Sequence, residues 1–486
     1  MKLDRVVRFP LKSKLSEKII KLLNGVSIDK GEDRAMNSDI AAGRLPADQY
    51  LDNFSDIASV LNTWEASVES ERCLYCFDAP CVEACPTDID IPNFIRKISN
   101  GNVKGAAVEI LKANILGGSC SRVCPTEILC EQKCVRMDKE GKPVLIGKLQ
   151  RFSTDFLMAS GVQPFQRAPL SGKTVAIVGA GPASLSCAHR LASHGHNVDI
   201  FEAREKAGGL NEYGIASYKM VDNFAQRETD FILAIGGIDL HFGQRLGDNL
   251  KLDQLRADFD AVFIGIGLGG SNEVGLDGED LDGIMDAVDY IGDLRQSADL
   301  TSLAIGRRVV VIGGGNTAVD MAIQAKLLGA EDVTMVYRRG PEQMGATEHE
   351  QELAQTRDVR IRFWAKPVKF VGENGAVTAV EFERTALDAD GRVTGTGDHY
   401  TIDADMVFKA VGQKLLPFST HGDAPDRDGG RFKVDENYQT SLPGVYAGGD
   451  CVEGLDLTVE AVQDGKLAAE AIHRQLTQSD GGSSNG

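Results

Sequence analysis

Eight of the ten cysteines in the chain fall between Cys73 and Cys134. They run Cys73-x2-Cys76-x4-Cys81-x3-Cys85-Pro86, then Cys120-x3-Cys124-Pro125-x4-Cys130-x3-Cys134. Thiolates are soft ligands that suit iron. Proline after the last cysteine of a run is the habit of bacterial ferredoxins, in which that cysteine serves the other cluster. Eight cysteines suffice for two 4Fe-4S clusters. Zinc sites favour repeated C-x2-C pairs, and here a single pair, Cys73 and Cys76, has that spacing. Cys187 and Cys451 stand apart from the group and from each other. They read as small buried residues, and no redox disulfide is expected of them.

Two glycine turns supply the second kind of chemistry. Gly179-x-Gly181-x-x-Ser184 follows the apolar run Thr174–Val178 and opens a helical pattern. The first glycine permits a tight turn and the second lets the backbone approach a pyrophosphate, which then sits on a helix N-terminus. Serine at the third position is small enough for helix–strand packing. The strand Asn197–Phe201 ends at Glu202, 21 residues past Gly181, where a carboxylate binds ribose hydroxyls. Gly313-x-Gly315-x-x-Ala318 repeats the fingerprint, with its first glycine 134 residues beyond Gly179. Its second strand, Val333–Tyr337, ends in Arg338-Arg339 and not in an acid. Two guanidinium groups there match a 2′-phosphate, so NADPH is expected over NADH.

Near the end, Gly449-Asp450 matches the flavin-contact motif of two-dinucleotide flavoproteins, with the Asp450 carboxylate on the ribityl chain. The order is that of such proteins: a first FAD unit, an inserted NADPH unit, a second FAD part. Gly208 and Gly209 join the expected FAD set. A helix from about Thr458 would aim its N-terminus at the flavin pyrimidine ring and stabilise the anionic reduced flavin. Thr347-x-x-Glu350 reads as a capping box, which makes His349 a surface helix residue. Hydride transfer between cofactors needs no acid or base from the chain, so no catalytic side chain is assigned.

The elements that must position these residues set the domain plan. Residues 1–60 form an extension in which Leu11, Leu15, Ile19, Leu22 and Leu23 share a helical face, as a docking helix would. Residues 61–165 have helical apolar spacing with the cysteines in the turns: an all-α domain holding the two clusters. Short helices are expected over Ile91–Ile98 and Ala106–Leu111. A linker with Pro164, Pro169, Ser171 and Gly172 follows. An α/β fold takes over: 170–298 the first part of the FAD domain, 299–415 the NADPH domain, 416–486 the second FAD part with a disordered end. The strands Ala261–Ile264 and Met406–Ala410 each run toward a glycine turn, as expected of a domain-sized repeat.

Composition agrees with this plan. Glycine is high at 53 residues and aromatics low at 6%, which suits phosphate turns and not aromatic stacking platforms. With 52 basic and 71 acidic residues the chain carries −19, which argues against nucleic acid and anionic membranes as partners. No run of 18 apolar residues suggests a membrane span, and Met1–Asn24 lacks the features of a secretory leader. A reducing cytoplasmic setting is expected.

At the cysteines a family resemblance becomes specific. The segments Cys73–Ile91, Cys120–Cys134 and Ile146-Gly-Lys-Leu-Gln150 resemble the N-terminal iron–sulfur domain of dihydropyrimidine dehydrogenase. The likeness runs from about Leu61 to Leu476 and is strongest to the flavin and iron–sulfur subunit of the two-subunit bacterial enzyme. It implies one cluster on Cys73, Cys76, Cys81 and Cys134. It implies a second on Cys85, Cys124 and Cys130 with Gln150 as fourth ligand, leaving Cys120 as the backup. It implies electron flow from NADPH through FAD and the clusters to a partner subunit that carries FMN and reduces uracil or thymine. The barrel for that step needs about 250 residues, more than the three parts above leave room for. The rival is the small subunit of glutamate synthase, which shares the layout. Its first cysteine run usually carries Gly-x-Pro-Phe-Cys and Cys-Pro-Leu-Gly, where this chain has Asp78-Ala-Pro-Cys81 and Cys85-Pro-Thr-Asp88. A non-catalytic scaffold is the rival of another class, against which the intact glycine turns and cysteines argue.

Overall fold

A computed structural model describes residues 39–419 and 422–478. The helical face expected over Leu11–Leu23 and the disordered end expected after Gln478 lie outside the described residues. Residues 39–60 are not a free extension. Ile40–Ala41 pairs antiparallel with Ile305–Gly306. Helix α1 (Ala47–Asn53) then buries Tyr50, followed by Phe54, in the core of the second nucleotide unit.

The cysteine-bearing domain is helical. Helix α2 (Thr63–Glu71) opens on a capping box between Asn62 and Glu65. Helix α3 (Ile91–Ser99) opens on Asp90, which accepts the Asn93 N–H. Asn102 does the same for α4 (Val103–Ala113). Such caps satisfy N–H groups that the helix itself cannot, at about 1 kcal/mol each. Ile91, Phe94, Ile95 and Ile98 recur at helical spacing and are buried with Ala106, Ile110 and Leu149, as an amphipathic helix requires. Helices α5 (Gly117–Val123) and α6 (Ile146–Ala159) complete the domain. Both short helices expected from the sequence form, each extended by a turn or less.

The first nucleotide unit begins with β1 (Thr174–Val178), α7 (Pro182–Ser193) and β2 (Asn197–Glu202). Helix α8 (Phe224–Leu233), β3 (Ile238–Phe242) and β4 (Ala261–Ile264) follow. The second unit takes β5 (Ile284–Asp286), α9 (Ala287–Gln296), β6 (Arg308–Gly313), α10 (Asn316–Leu327) and β7 (Asp332–Val336). It continues with α11 (Glu348–Thr356) and β8 (Val359–Arg362). A three-stranded antiparallel sheet, β9 (Ala365–Glu373), β10 (Ala376–Leu387) and β11 (Val393–Asp403), is laid on this unit before β12 (Met406–Ala410). The chain then returns to the first unit with β13 (Val445–Ala447) and α12 (Thr458–Gln478).

The first sheet has the parallel order β13-β4-β1-β2-β3 and the second β8-β7-β6-β12-β5. In each, the strand before the glycine turn is central, and an outermost strand comes from outside the local run of sequence. For the first sheet that strand is β13, from the tail. For the second it is β5, which pairs with β12, while α9 buries Ala287, Tyr290 and Ile291 in the same core. Residues 284–298 therefore belong to the second sheet, ahead of the boundary at 299 that spacing suggested. The short β5 carried no glycine turn to announce it.

Gly179 and Gly313 fail to take a side chain for one shared reason. Each has positive φ, +93° and +152°, and a Cβ would come within 2.5 Å of Gly265 O or 2.3 Å of Ala410 O. Those carbonyls end the neighbouring strands β4 and β12. Helix α12 crosses α7 backbone to backbone at Gly465, where a Cβ would come within 1.9 Å of Ala183 O. Glycine is the residue that permits such an approach.

Candidate cofactor sites and the cavity that joins them

One cavity of ≈ 1030 Å³ is walled by all three domains. From the first nucleotide unit, Gly179, Gly181, Glu202, Gly209, Gly449, Asp450 and Thr458 line it. The other two residues expected there stand behind the wall. Ser184 is buried and donates its hydroxyl to Gly265 O at 3.3 Å. Gly208 donates its N–H to Ala180 O at 2.8 Å, fixing the loop on which Gly209 meets Gly181. Glu202 accepts the Ala180 and Arg204 N–H groups at 2.7 and 2.8 Å. Each oxygen keeps a lone pair for a ribose hydroxyl.

Asp450 sits on the wall with its carboxyl raised to about 6. Burial does most of this, and the Asp456 and Asp464 carboxylates add to it against Arg431. The α12 N-terminus reaches the cavity through Leu457, Thr458 and Ala461, and the Thr458 hydroxyl donates to Asn211 Oδ1 at 3.2 Å. Asp464, not foreseen from the sequence, accepts the Gly449 N–H and the Tyr438 hydroxyl, both at 2.9 Å. Its position two turns into a helix gave no local signal.

The second nucleotide unit meets the cavity at Asn316 and Thr317, the start of α10. Gly313, Gly315, Ala318, Arg338 and Arg339 lie outside it. Gly315 caps α10 over open space, since a Cβ there would touch nothing within 4 Å. Ala318 is buried against the sheet. Arg338 and Arg339 are exposed, and their side chains make no ion pair among the described residues. Their backbones are held: Arg338 O accepts the Thr385 hydroxyl at 2.8 Å and Arg339 O the Trp364 N–H at 3.1 Å.

Helix α11 begins as expected, with Thr347 Oγ1 accepting the Glu350 N–H at 3.3 Å. The return half of the capping box is missing. Glu350 bonds Lys219 Nζ at 2.6 Å, and Lys219 also reaches Asp320 at 2.8 Å. Burial opposes the lysine charge, yet these two carboxylates hold it above its usual range. The Thr347 hydroxyl donates to Glu127 of the helical domain at 2.6 Å. One helix start thus ties the second unit to both other parts. His349, exposed as the helix reading implies, lies on the cavity rim.

The helical domain contributes Arg122, Cys124, Pro125 and Thr126 to the cavity. Arg122 holds Asp155 at 2.7 and 2.9 Å and lies 3.5 Å over the Phe224 ring. Glu228 on α8 accepts the Ser119 N–H at 3.0 Å and also its hydroxyl. Burial pushes the Glu228 carboxyl up to about 7.

All ten cysteines are unpaired. Cys73, Cys76, Cys81 and Cys134 face one small cavity walled by Ile91, Ile95, Val144 and Ile146. The Val144 N–H donates to Cys134 Sγ at 3.5 Å. Burial, with Cys73, Cys134 and Cys76 close by, pushes the Cys81 thiol up to about 12. Cys85, Cys120, Cys124 and Cys130 form a second group. The hydrogen bond to Cys120, then burial and the nearness of Cys130 and Cys85, raises Cys124 well above its usual value. Gln150 Nε2 donates to Gly117 O at 2.7 Å, which leaves its amide oxygen without a partner among the described residues. Among those residues no three His, Cys, Asp or Glu side chains converge on a point fit for a single ion. The thiols instead ring spaces among apolar side chains, with a backbone N–H aimed at sulfur. This donor set fits iron–sulfur clusters. Cys187 and Cys451 are buried apart, with Cys451 Sγ donating to Ile264 O and Gly448 O.

Comparison with known proteins agrees with these sites. Residues 50–162 match the family model for dihydropyrimidine dehydrogenase domain II, 4Fe-4S cluster. Residues 173–465 match that for pyridine nucleotide-disulphide oxidoreductase. The chain is 36% identical over 432 residues to the NAD-dependent dihydropyrimidine dehydrogenase subunit PreT of Escherichia coli (strain K12), covering 89% of this chain and 98% of that one. It is 33% identical over 447 residues to the glutamate synthase [NADPH] small chain of the same organism, covering 87% and 94%. The fold is similar to FprA of Mycobacterium tuberculosis in complex with NADPH, with TM-score 0.53 and 21% identity over 65% of this chain and 86% of that one. It is also similar to T. acidophilum thioredoxin reductase, with TM-score 0.50 and 23% identity over 62% and 99%. Among the described residues no helix is long and apolar enough to cross a membrane.

Proposed function

Because the chain belongs to the family of NAD(P)H-dependent flavin and iron–sulfur oxidoreductases that includes PreT and the glutamate synthase small chain, we propose that it is the electron-input subunit of a dihydropyrimidine dehydrogenase. The observation that carries this reading is the single cavity on which the first glycine turn, the start of α10 and the Cys124 loop all open. Two-electron chemistry at a nicotinamide and one-electron chemistry at a cluster can then meet at one flavin.

In this reading Gly313, Gly315, Ala318 and the α10 N-terminus hold the NADPH pyrophosphate, and Arg338 and Arg339 take its 2′-phosphate. Gly179, Gly181, Ser184, Gly208 and Gly209 shape the FAD pyrophosphate site. Glu202 binds ribose, and Gly449 and Asp450 take the ribityl chain. The α12 N-terminus at Thr458 faces the flavin ring. Cys73, Cys76, Cys81 and Cys134 hold one 4Fe-4S cluster. Cys85, Cys124 and Cys130 hold the other with Gln150, or with Cys120 in its place. The bound groups supply hydride acceptance and single-electron relay; the chain supplies position, dryness and field. The acceptor is an FMN-bearing partner subunit that reduces uracil or thymine to the 5,6-dihydro form, in a cytoplasmic hetero-oligomer.

Supply of electrons to glutamate synthase is the second reading. It is favoured by the unpaired Arg338 and Arg339, since NADPH is the coenzyme in that relative's name and NAD is in the other's. Anaerobic pull-down of the tagged native protein separates the two. A barrel-sized FMN flavoprotein as partner supports the first reading, and a far larger amidotransferase overturns it.

A further inference from the structure

Three successive residues of α12 address three parts of the molecule. Helical geometry turns each side chain about 100° from the last. Asp464 holds the Gly449 N–H. Gly465 lies on the Ala183 carbonyl of α7. Lys466 leaves the nucleotide unit altogether. Its ammonium donates to Thr87 O at 3.1 Å and to Ala113 O at 3.0 Å, both in the helical domain.

These acceptors are informative. Ala113 ends α4, and its carbonyl is among those a helix cannot satisfy, at the negative end of the dipole, where a cation is favoured. Thr87 is fully buried, and its hydroxyl lies 3.4 Å from Cys85 Sγ. The charged groups facing Lys466 are Arg190, Asp88, Cys85 and Glu470. The ammonium therefore stands one residue away from a thiol of the second cysteine group, on the same helical turn that fixes the flavin-contact glycine.

We propose that Lys466 is a positioning residue for electron flow, whose charge raises the reduction potential of the cluster held through Cys85. The inference rests on the reading above that Cys85 is a cluster ligand. The physics is direct: reduction adds negative charge to the cluster, a nearby cation stabilises the reduced form, and net charge and hydrogen bonding near the sulfurs set cluster potentials. Because the same turn of α12 also holds Gly449, the helix joins the flavin contact to the cluster mechanically as well as electrostatically.

The test is a redox titration followed by electron paramagnetic resonance on native protein, K466Q and K466R, with iron and flavin counted in each. K466Q is expected to titrate one cluster at lower potential. At the wild-type midpoint its reduced-to-oxidised ratio falls about tenfold, or about 59 mV for one electron. The other cluster, the iron count and the flavin content stay at wild type, and K466R keeps the wild-type potential. An unshifted K466Q overturns the inference, as does a K466Q that loses iron while K466R keeps it, since Lys466 would then be a structural clamp only. Failure of the underlying reading looks different: native protein without cluster signals, or C85S with full iron and unaltered signals.

Discussion

The Asp464 carboxylate accepts the Gly449 N–H at 2.9 Å, which fixes the flavin-contact loop from inside the following helix. D464A removes the acceptor for that N–H and for the Tyr438 hydroxyl. Hydrogen bonds to charged groups contribute about 1.5–3 kcal/mol. Flavin affinity is expected to fall at least about tenfold, read as FAD lost on gel filtration. Retention of stoichiometric FAD would contradict this role.

Arg338 and Arg339 are exposed and free of ion pairs among the described residues, so their charge is available to a ligand. Replacing both with glutamine is expected to raise the KM for NADPH by about 10–100-fold, from about 1.5–3 kcal/mol per lost charge-assisted contact. The KM for NADH should hardly change. Equal effects on both coenzymes would remove the 2′-phosphate from the account.

Lys219 lies between Asp320 and Glu350 at a junction of the two nucleotide units. K219M leaves two buried carboxylates facing each other without a cation. Breaking a buried pair in this way costs about 3–5 kcal/mol. Thermal unfolding is expected at a markedly lower temperature, partly restored in K219M/D320N/E350Q. A wild-type Tm in K219M would show the network to be energetically idle.

The sequence was most legible where function depends on spacing. The two glycine turns, Glu202, the arginine pair and both cysteine runs follow local rules, and the cysteines meet in two groups. What it hid depends on distance along the chain. Asp464, Lys219 and Lys466 act on residues far away in sequence, and no local pattern marks them. Glu350 shows the conflict in one side chain. Its spacing from Thr347 fits a capping box, but the buried ammonium of Lys219 outbids the helix N-terminus for its charge. The boundary at 299 missed β5 for a similar reason, because a three-residue strand is defined by its partner β12 and not by its own composition.

Histidines 194, 196 and 473 meet where α7 ends against α12, with His196 Nε2 and His473 Nδ1 2.9 Å apart. Burial, with His473 and His194 beside it, holds His196 down to about 4, and burial holds His189 down to about 3. The unfolded chain takes up these protons near pH 6.5, while the folded chain resists until about pH 4. Stability from these groups is therefore complete above pH 6.5 and is lost as pH falls toward 4. Tm measured from pH 7 to 4.5 should drop, and H196N should flatten the drop. An unchanged slope in H196N would assign the acid sensitivity to carboxylates.

Gln150 and Cys120 compete for one position at the second cluster. Q150A is expected to alter one cluster's spectrum and lower the iron count, and C120S to leave both unchanged. The opposite pair of results would give the site to Cys120, which already hydrogen-bonds Cys124.

The central claim is delivery of electrons from NADPH to a pyrimidine-reducing partner. Its most direct test is NADPH oxidation by the anaerobically purified native complex, offered uracil in one assay and glutamine with 2-oxoglutarate in another. The account predicts oxidation that depends on uracil and yields dihydrouracil. Oxidation that depends on 2-oxoglutarate, with uracil inert, would contradict it and leave the glutamate synthase reading in its place.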